Sequence, residues 1–338
     1  MSARESVIPV FVPHLGCPHA CVFCNQNRIS GAARPATAET VREAIKQAAA
    51  LPRTGAKRQL AFYGGSFTAI PTAEQAALLA AARDALDRGE IDAIRLSTRP
   101  DAIDETVLRR LREYGVETIE LGAQSMDEQV LRLSGRGHTA ADVERASRLI
   151  KDRGFRLILQ MMTGLPGDDE EKDMETARRL IALGPDGVRI YPTVIVRDTA
   201  LYALWKSGRY REHSVEDAVR VCAKLLPLFQ QAGIPVIRLG LNPTEDLSGG
   251  AAVAGAYHPA LGELVRSRIL YEKAELLLRE NGASGRVILG VAPENLSQMV
   301  GQHRENVRKL CDAFGLETLK VRPANIKSGE ICVISIEK

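Results

Sequence analysis

No stretch of the 338-residue chain approaches the ~20 consecutive apolar residues of a membrane span. The N-terminal MSARESVIPVFVP carries Glu5 and only a short apolar run broken by Pro9 and Pro13, so it is not a secretory signal. Cysteine is scarce as well: six residues are too few for a disulfide scaffold, which points to the cytoplasm, where clustered cysteines more often hold metal. An excess of one charge is missing too. Lys and Arg number 45 against 42 acidic residues, a net charge of +3, so any nucleic-acid site must be local. With 45% hydrophobic and 26% charged residues, disorder, collagen-like repeats and coiled coil lose their support. No short-period repeat stands out, and at ~150 residues per domain the length predicts about two domains.

What is present is a regular alternation. Apolar, β-rich runs recur roughly every 30 residues with helical patterns between them, which predicts βαβ units and a parallel sheet. The runs are 7–12, 59–64, 93–99, 118–124, 156–162, 187–193 and 235–241, read as strands buried on both faces. A helix is expected over 72–88, its cap in the region from Thr72 to Gln75. The fold class predicted is α/β: a partial (β/α)6-type barrel over 1–240, with a doubly wound sheet as the competitor. A glycine-rich loop or linker follows at 241–255, and then a small α+β unit over 256–338, in which 295–314 reads as helical around the turn MVGQHR.

In either α/β fold the chemistry belongs at the carboxyl ends of the strands. The polar, glycine-rich strings fall there: a cysteine loop after the first run, then GGS, STRPD, GAQS and TGLPGD. STRPD and LPGD also have a plain reading as turns in which Asp101 or Asp104, and the single aspartate of the second string, Asp168, cap helices. Tyr191, Tyr202, Trp205 and Tyr210 read as packing residues, and Cys222, Cys311 and Cys332 as buried apolar positions.

The cysteine loop, GCPHACVFCNQ, places Cys17, Cys21 and Cys24 in the spacing CxxxCxxC. Three readings stand: incidental cysteines, a zinc site completed by His14 and His19, and a 4Fe-4S cluster held by three thiolates with its fourth iron open for a non-protein ligand. The zinc reading lacks a second paired knuckle. The cluster suits three thiolates on a short loop, and an open iron means catalysis rather than electron carriage.

CxxxCxxC with Phe23 before the last cysteine resembles the signature of radical S-adenosylmethionine enzymes. STRPD, ELGAQS, VLRLSGRGHT, TGLPGD and VRIYPTVIVRDTALYALWKSGRY resemble, over roughly residues 8–240, the radical core of the Elongator catalytic subunit family. The resemblance implies that Cys17, Cys21 and Cys24 ligate a 4Fe-4S cluster, and that S-adenosylmethionine chelates the open iron. Gly64, Gly65 and Ser66 would receive its amine, the Phe23 backbone would meet the adenine, and Ser97, Arg99, Gln124 and Arg136 would line the ribose and carboxylate side. Gln160 and Tyr191 complete the implied set from later strand ends. Ser66 stands where many radical enzymes have glutamate. The chemistry implied is reductive cleavage of S-adenosylmethionine to a 5'-deoxyadenosyl radical, fed by a cellular one-electron reductant.

The family's acetyltransferase domain is not expected here, because only about 80 residues follow the 241–255 stretch. That segment instead contains a strand, the turn MVGQHR and the helix ENVRKLCDAF, which resemble a KH-type RNA-binding unit with arginine replacing the second glycine of its GxxG loop. Gly301, His303, Arg304, Arg308 and Lys309 are the candidate RNA contacts. Lys320, Arg322 and Lys327 lie nearby, and the first 60 residues carry eight basic against three acidic side chains. The leading expectation is a radical enzyme acting on RNA, with a tRNA uridine as the substrate, and without a membrane partner. The alternatives are a radical enzyme acting on a small molecule or tetrapyrrole, and a non-catalytic iron-sulfur or zinc RNA-binding module.

Overall fold

The computed structural model describes residues 5–12, 17, 21–25, 36–52, 56–243 and 247–337. His14 and His19, invoked for the zinc reading, lie outside these residues. The chain divides into two compact units, Met1–Ser214 with Leu225–Tyr257, and Val215–Lys224 with His258–Lys338.

The first unit is built on seven parallel strands. They are β1 (Glu5–Val12), β2 (Lys57–Gly64), β3 (Ala93–Thr98), β4 (Val116–Gln124), β5 (Arg156–Thr163), β6 (Gly187–Pro192) and β8 (Val236–Leu239), hydrogen-bonded in that order. Each of the seven expected runs is a strand. They are not, however, buried in apolar surroundings on both faces. Leu60, Phe62, Ile94, Leu96, Ile119, Leu121, Leu157, Leu159, Val188 and Ile190 point outward and are fully buried beneath the helices. The alternate positions carry Tyr63, Arg95, Glu120, Gln160 and Arg189, so the other face is polar and charged. AIRLSTR, TIELGAQ and GVRIYPT alternate in a period of two, the mark of a sheet with two different faces.

The charged face bends the sheet. Arg189 on β6 donates from Nη2 to the Tyr63 hydroxyl on β2 at 2.9 Å, and its Nε lies 2.7 Å from Glu120 Oε2 on β4. Strands four places apart would be roughly 19 Å distant in a flat sheet. The contact therefore requires the sheet to curl into a half-barrel, the architecture expected from the sequence.

Several of the helices connecting the strands start at side-chain caps. Thr37 and Thr40 form a reciprocal box, Asp104 accepts from Val107 N at 2.7 Å, and Thr139 pairs with Asp142. Of the two aspartates considered for STRPD, Asp104 is the cap and Asp101 pairs with Arg99. The helix Thr72–Asp87 has Pro71 at its cap position and no side-chain cap bond, which corrects the expected Thr72–Gln75 cap. Proline supplies the required backbone angle without a donor to satisfy. The 241–255 stretch contains the strand β9 (Ala252–Gly255), antiparallel to β7 (Val194–Val196). Tyr210 is a packing residue, 8% exposed, whose hydroxyl donates to Gly164 O.

The second unit packs the helix Leu261–Glu280 against a sheet of three strands, β10 (Gly285–Val291), β11 (Leu316–Pro323) and β12 (Ile331–Glu337). Their order is β11–β10–β12, with β10 parallel to β11 and antiparallel to β12. The 295–314 stretch is two helices, Leu296–Val300 and Glu305–Phe314, because His303 and Arg304 take positive φ and interrupt the helical path.

After β5, the cap of the helix Glu170–Ala182 is Asp169, whose side chain accepts from Lys172 N, which corrects the cap expected one residue earlier in LPGD. Asp168 turns inward toward Asp173, which is 2% exposed. Burial first, and the neighbouring Asp168 carboxylate second, hold the Asp173 carboxyl far above the ordinary carboxylate range. A group whose folded pKa is raised favours the folded state below its unfolded value, about 3.9, and loses that contribution as pH rises toward the folded value. Asp173→Asn, which removes the ionisation, is expected to melt about 2–4 °C higher than wild type at pH 9, with a smaller difference at pH 5. Thermal melts at the two pH values measure it.

Candidate active site at the carboxyl ends of the strands

At the carboxyl ends of β2 to β5 a cleft of about 200 Å³ opens on the inner face. Its wall contains Cys17, Cys21, Phe23 and Cys24 from the loop after β1, Gly64, Gly65 and Ser66 after β2, Ser97 and Arg99 from β3, Gln124 from β4, Arg136, and Gln160 from β5. These residues are scattered over 144 positions of sequence (17 to 160), and parallel strands bring them together because every β-to-α crossing deposits its loop on the same rim. Thr98 and Gly122 also line the cleft and were missed by the sequence reading. Their signal was present: Thr98 stands between Ser97 and Arg99, and Gly122 opens the string GAQS, two residues before Gln124. Tyr191 is not among the lining residues. It packs with Phe23 against Val130, Met162 and Leu165, and its hydroxyl accepts from Arg189 Nη1 at 3.2 Å.

Gly64 takes φ +105, a conformation that side chains rarely adopt, and a Cβ there would press to 3.3 Å on the Val12 backbone. Gly122 leaves room for a different reason: a Cβ would stand 2.7 Å from Gln124 Nε2 and 3.2 Å from Arg136 Nη2. The Ser66 hydroxyl is 2.9 Å from Thr98 Oγ1 and accepts from Arg99 N at 3.2 Å. Its side chain therefore ties β2 to β3, leaving the glycine backbone to face the cleft. Gln124 has φ +65 and its Oε1 accepts from Gln160 Nε2 at 3.0 Å.

Two arginines set the electrostatics. Arg99, 3% exposed, pairs with Asp101 and donates to Arg136 O at 2.7 Å. Arg136 donates to Gly122 O at 3.0 Å and to Cys21 Sγ at 3.3 Å, and its Nε is buried without a partner among the described residues. The Cys17 thiol is pushed above its ordinary value by loss of solvent, while a backbone hydrogen bond from Ser66 and the nearby guanidinium groups of Arg136 and Arg99 pull it down. The residue taken whole is exposed; it is the thiol end that is desolvated. His138 is pushed down to about 4, by burial first and by Arg136 second, so it is neutral at physiological pH and donates from Nε2 to Ala123 O.

All six cysteines are thiols rather than disulfides. Among the described residues, no three His, Cys, Asp or Glu side chains converge as the ligands of a single metal ion do. A four-iron cluster takes one thiolate per iron, which separates the ligands. Three thiols on one wall, beside a guanidinium that can offset thiolate charge, fit such a group.

Comparison with known proteins agrees. Residues 11–180 match the model of the radical SAM superfamily, and 185–270 match the radical SAM C-terminal domain. The chain belongs to the radical SAM superfamily. Its members use a 4Fe-4S cluster and S-adenosylmethionine, so both are cofactors of this chain. It is similar to Elongator complex protein 3 of Homo sapiens, 36% identical over 179 residues, 52% of this chain and 32% of that protein. It is also similar to the tRNA uridine(34) acetyltransferase of Methanocaldococcus jannaschii, 30% identical over 176 residues, 51% of this chain and 32% of that protein. The chain thus spans about a third of the length of these relatives. The archaeal Methanocaldococcus infernus Elp3 shares the fold, with a TM-score of 0.62 and 23% identity, over 83% of this chain and 64% of that one. Among the described residues no helix is long and apolar enough to cross a membrane.

Gly122→Ala tests the cleft. A methyl group displaces the Gln124 amide and crowds Arg136, so S-adenosylmethionine is expected to bind the reconstituted protein about tenfold more weakly while the melting temperature is retained. Equilibrium binding and a thermal melt provide the two readings.

Proposed function

We propose that this chain is a radical enzyme that modifies RNA, with a tRNA uridine as substrate, and that the cleft is its cofactor site. Cys17, Cys21 and Cys24 hold the cluster, and Phe23, Gly64, Gly65, Ser66, Ser97, Arg99, Gln124, Arg136 and Gln160 surround S-adenosylmethionine. The observation that carries this reading is the convergence of these twelve residues, chosen from sequence, on one cleft. When bound, the two cofactors supply one-electron cleavage of a carbon–sulfur bond and a radical that takes hydrogen from the substrate.

The protein's own contribution is placement and exclusion. Arg136 steadies negative charge at Cys21 and, through Gly122 O, fixes its own orientation. The backbone at Gly64 and Gly122, free of side chains, admits close approach. Val130, Met162 and Leu165, with Phe23 and Tyr191 against them, form an apolar wall beside the cysteine loop that keeps water and stray hydrogen donors away.

Support for RNA comes from two directions: the similarity to a tRNA uridine(34) acetyltransferase, and the second unit. There the GQHR loop joins the two helices that connect β10 to its parallel neighbour β11 along the chain. Gly301 has φ 75, and His303 and Arg304, both exposed, are held at φ 49 and 62. Arg304 thus holds a left-handed backbone that glycine would take without strain, a strain of the kind found at binding sites. The buried Asn306 holds the loop from below, its Nδ2 within 3.4 Å of oxygens of Ser267, Gln298 and Met299. Arg308 is exposed, while Lys309 pairs with Glu305 at 2.7 Å, which leaves less of its charge for a phosphate.

Anaerobically reconstituted protein given dithionite and S-adenosylmethionine is expected to release 5'-deoxyadenosine; no release, with no iron bound, overturns the radical reading. Filter binding to bulk tRNA tests the rest. Changing Arg304, Arg308 and Lys309 to alanine is expected to weaken binding and to lower the slope of log affinity against log salt by about one unit for each phosphate the variant no longer neutralises. An unchanged affinity removes the KH-like reading.

A further inference from the structure

The inner face of the half-barrel continues past the cofactor cleft. In register, Gly122 on β4 stands beside Gln160 on β5, Gln160 beside Arg189 on β6, and Arg189 beside Arg238 on β8. Neighbours in parallel register share a face, so these four residues form one row across the barrel. Gly122 and Gln160 belong to the cleft wall; the two arginines do not.

The charges along this row are unequal. Glu120 is already contacted by two guanidinium groups, Arg95 Nε at 2.9 Å and Arg189 Nε at 2.7 Å. Arg189 also donates to the hydroxyls of Tyr63 and Tyr191. Arg238, half-buried, donates from Nε to Gly240 O at 3.1 Å, and among the described residues no carboxylate pairs with it. A guanidinium on the wall of a half-barrel, beside a second one whose carboxylate is shared, is a receptor for a planar or tetrahedral anion.

We propose that Arg238 and Arg189 form a substrate subsite that takes a phosphate group, placing the substrate's anion at the β6–β8 end of the row while its reacting part faces the cleft at Gln160. This rests on the RNA reading, which makes the anion a phosphate flanking the target nucleotide. The shared chemistry is a phosphate monoester or diester, from RNA or from a free nucleotide, and the probes separate the two.

The reconstituted protein is titrated with uridine 5'-monophosphate, with uridine, and with bulk tRNA. The nucleotide is expected to bind at least about tenfold more tightly than the nucleoside, and Arg238→Gln to abolish that preference. Arg238→Lys, which keeps the charge without the fork, retains part of it. Arg83→Gln, on the exposed side of the helix Thr72–Asp87, serves as the control and keeps all of it. Melts of each variant establish folding, and Arg238→Lys remains informative if Arg238→Gln does not fold. Equal binding of nucleotide and nucleoside by wild type, or an undiminished preference in Arg238→Gln, overturns the subsite. An Arg238-dependent preference without any binding or modification of tRNA keeps the subsite and removes the RNA reading. Modification of tRNA with an unchanged KM in Arg238→Gln removes the subsite and keeps the RNA reading.

Discussion

One buried carboxylate organises the first unit. Glu120 sits on the central strand β4 and is held by Arg95 from β3, by Arg189 from β6 and by the Tyr63 hydroxyl from β2. Two guanidinium groups out of water are tolerable only while that carboxylate is there; removing one partner from such a buried set typically costs about 3–5 kcal/mol. Because its partners come from strands that would be far apart in a flat sheet, the network favours the curled form and keeps the inner face polar. The outer face, lined by Leu60, Ile94, Leu121 and Val188, supplies the apolar burial that stabilises the fold. The two faces divide the work: one drives folding, the other is left for ligands.

The cleft follows from that division. With the sheet curled, the strand ends face one another, and loops that share nothing in sequence become neighbours. The glycines at 64 and 122 are spaces, whereas Ser66, Thr98 and Asp101 hold the loops by their side chains. Arg136 shows how closely the parts depend on each other, since its guanidinium donates to Cys21 and to the Gly122 carbonyl while its backbone carbonyl accepts from Arg99.

Much of this was legible in the residues alone. The seven strands were visible because each is a short run flanked by turn residues, and the cleft residues were visible because they interrupt those runs at the end where parallel-strand folds place ligands. Tyr191 carried two readings, as packing and as a cofactor contact; its ring turns into the apolar wall with Phe23, in line with packing, and which way a side chain turns depends on neighbours distant in sequence. The cap expected within LPGD falls one residue later, on Asp169, because the helix begins at Glu170 and its cap is the residue immediately before it. Backbone direction selects Asp169 and sends Asp168 inward to Asp173.

The sequence by itself pointed to the cofactor chemistry through the family resemblance that CxxxCxxC and the strings after it carry, because such motifs are local arrangements of neighbouring residues; the spacing alone left zinc and incidental cysteines open. It determined the alternation of strand and helix for the same reason, as periodicity is a property of neighbouring residues. Only the tertiary structure decided that Arg95, Glu120, Arg189 and Arg238 line one interior face, and that Arg304 must adopt a left-handed backbone. Those outcomes depend on sheet curvature, strand register and the path between two helices, quantities set by contacts between residues tens to more than a hundred positions apart.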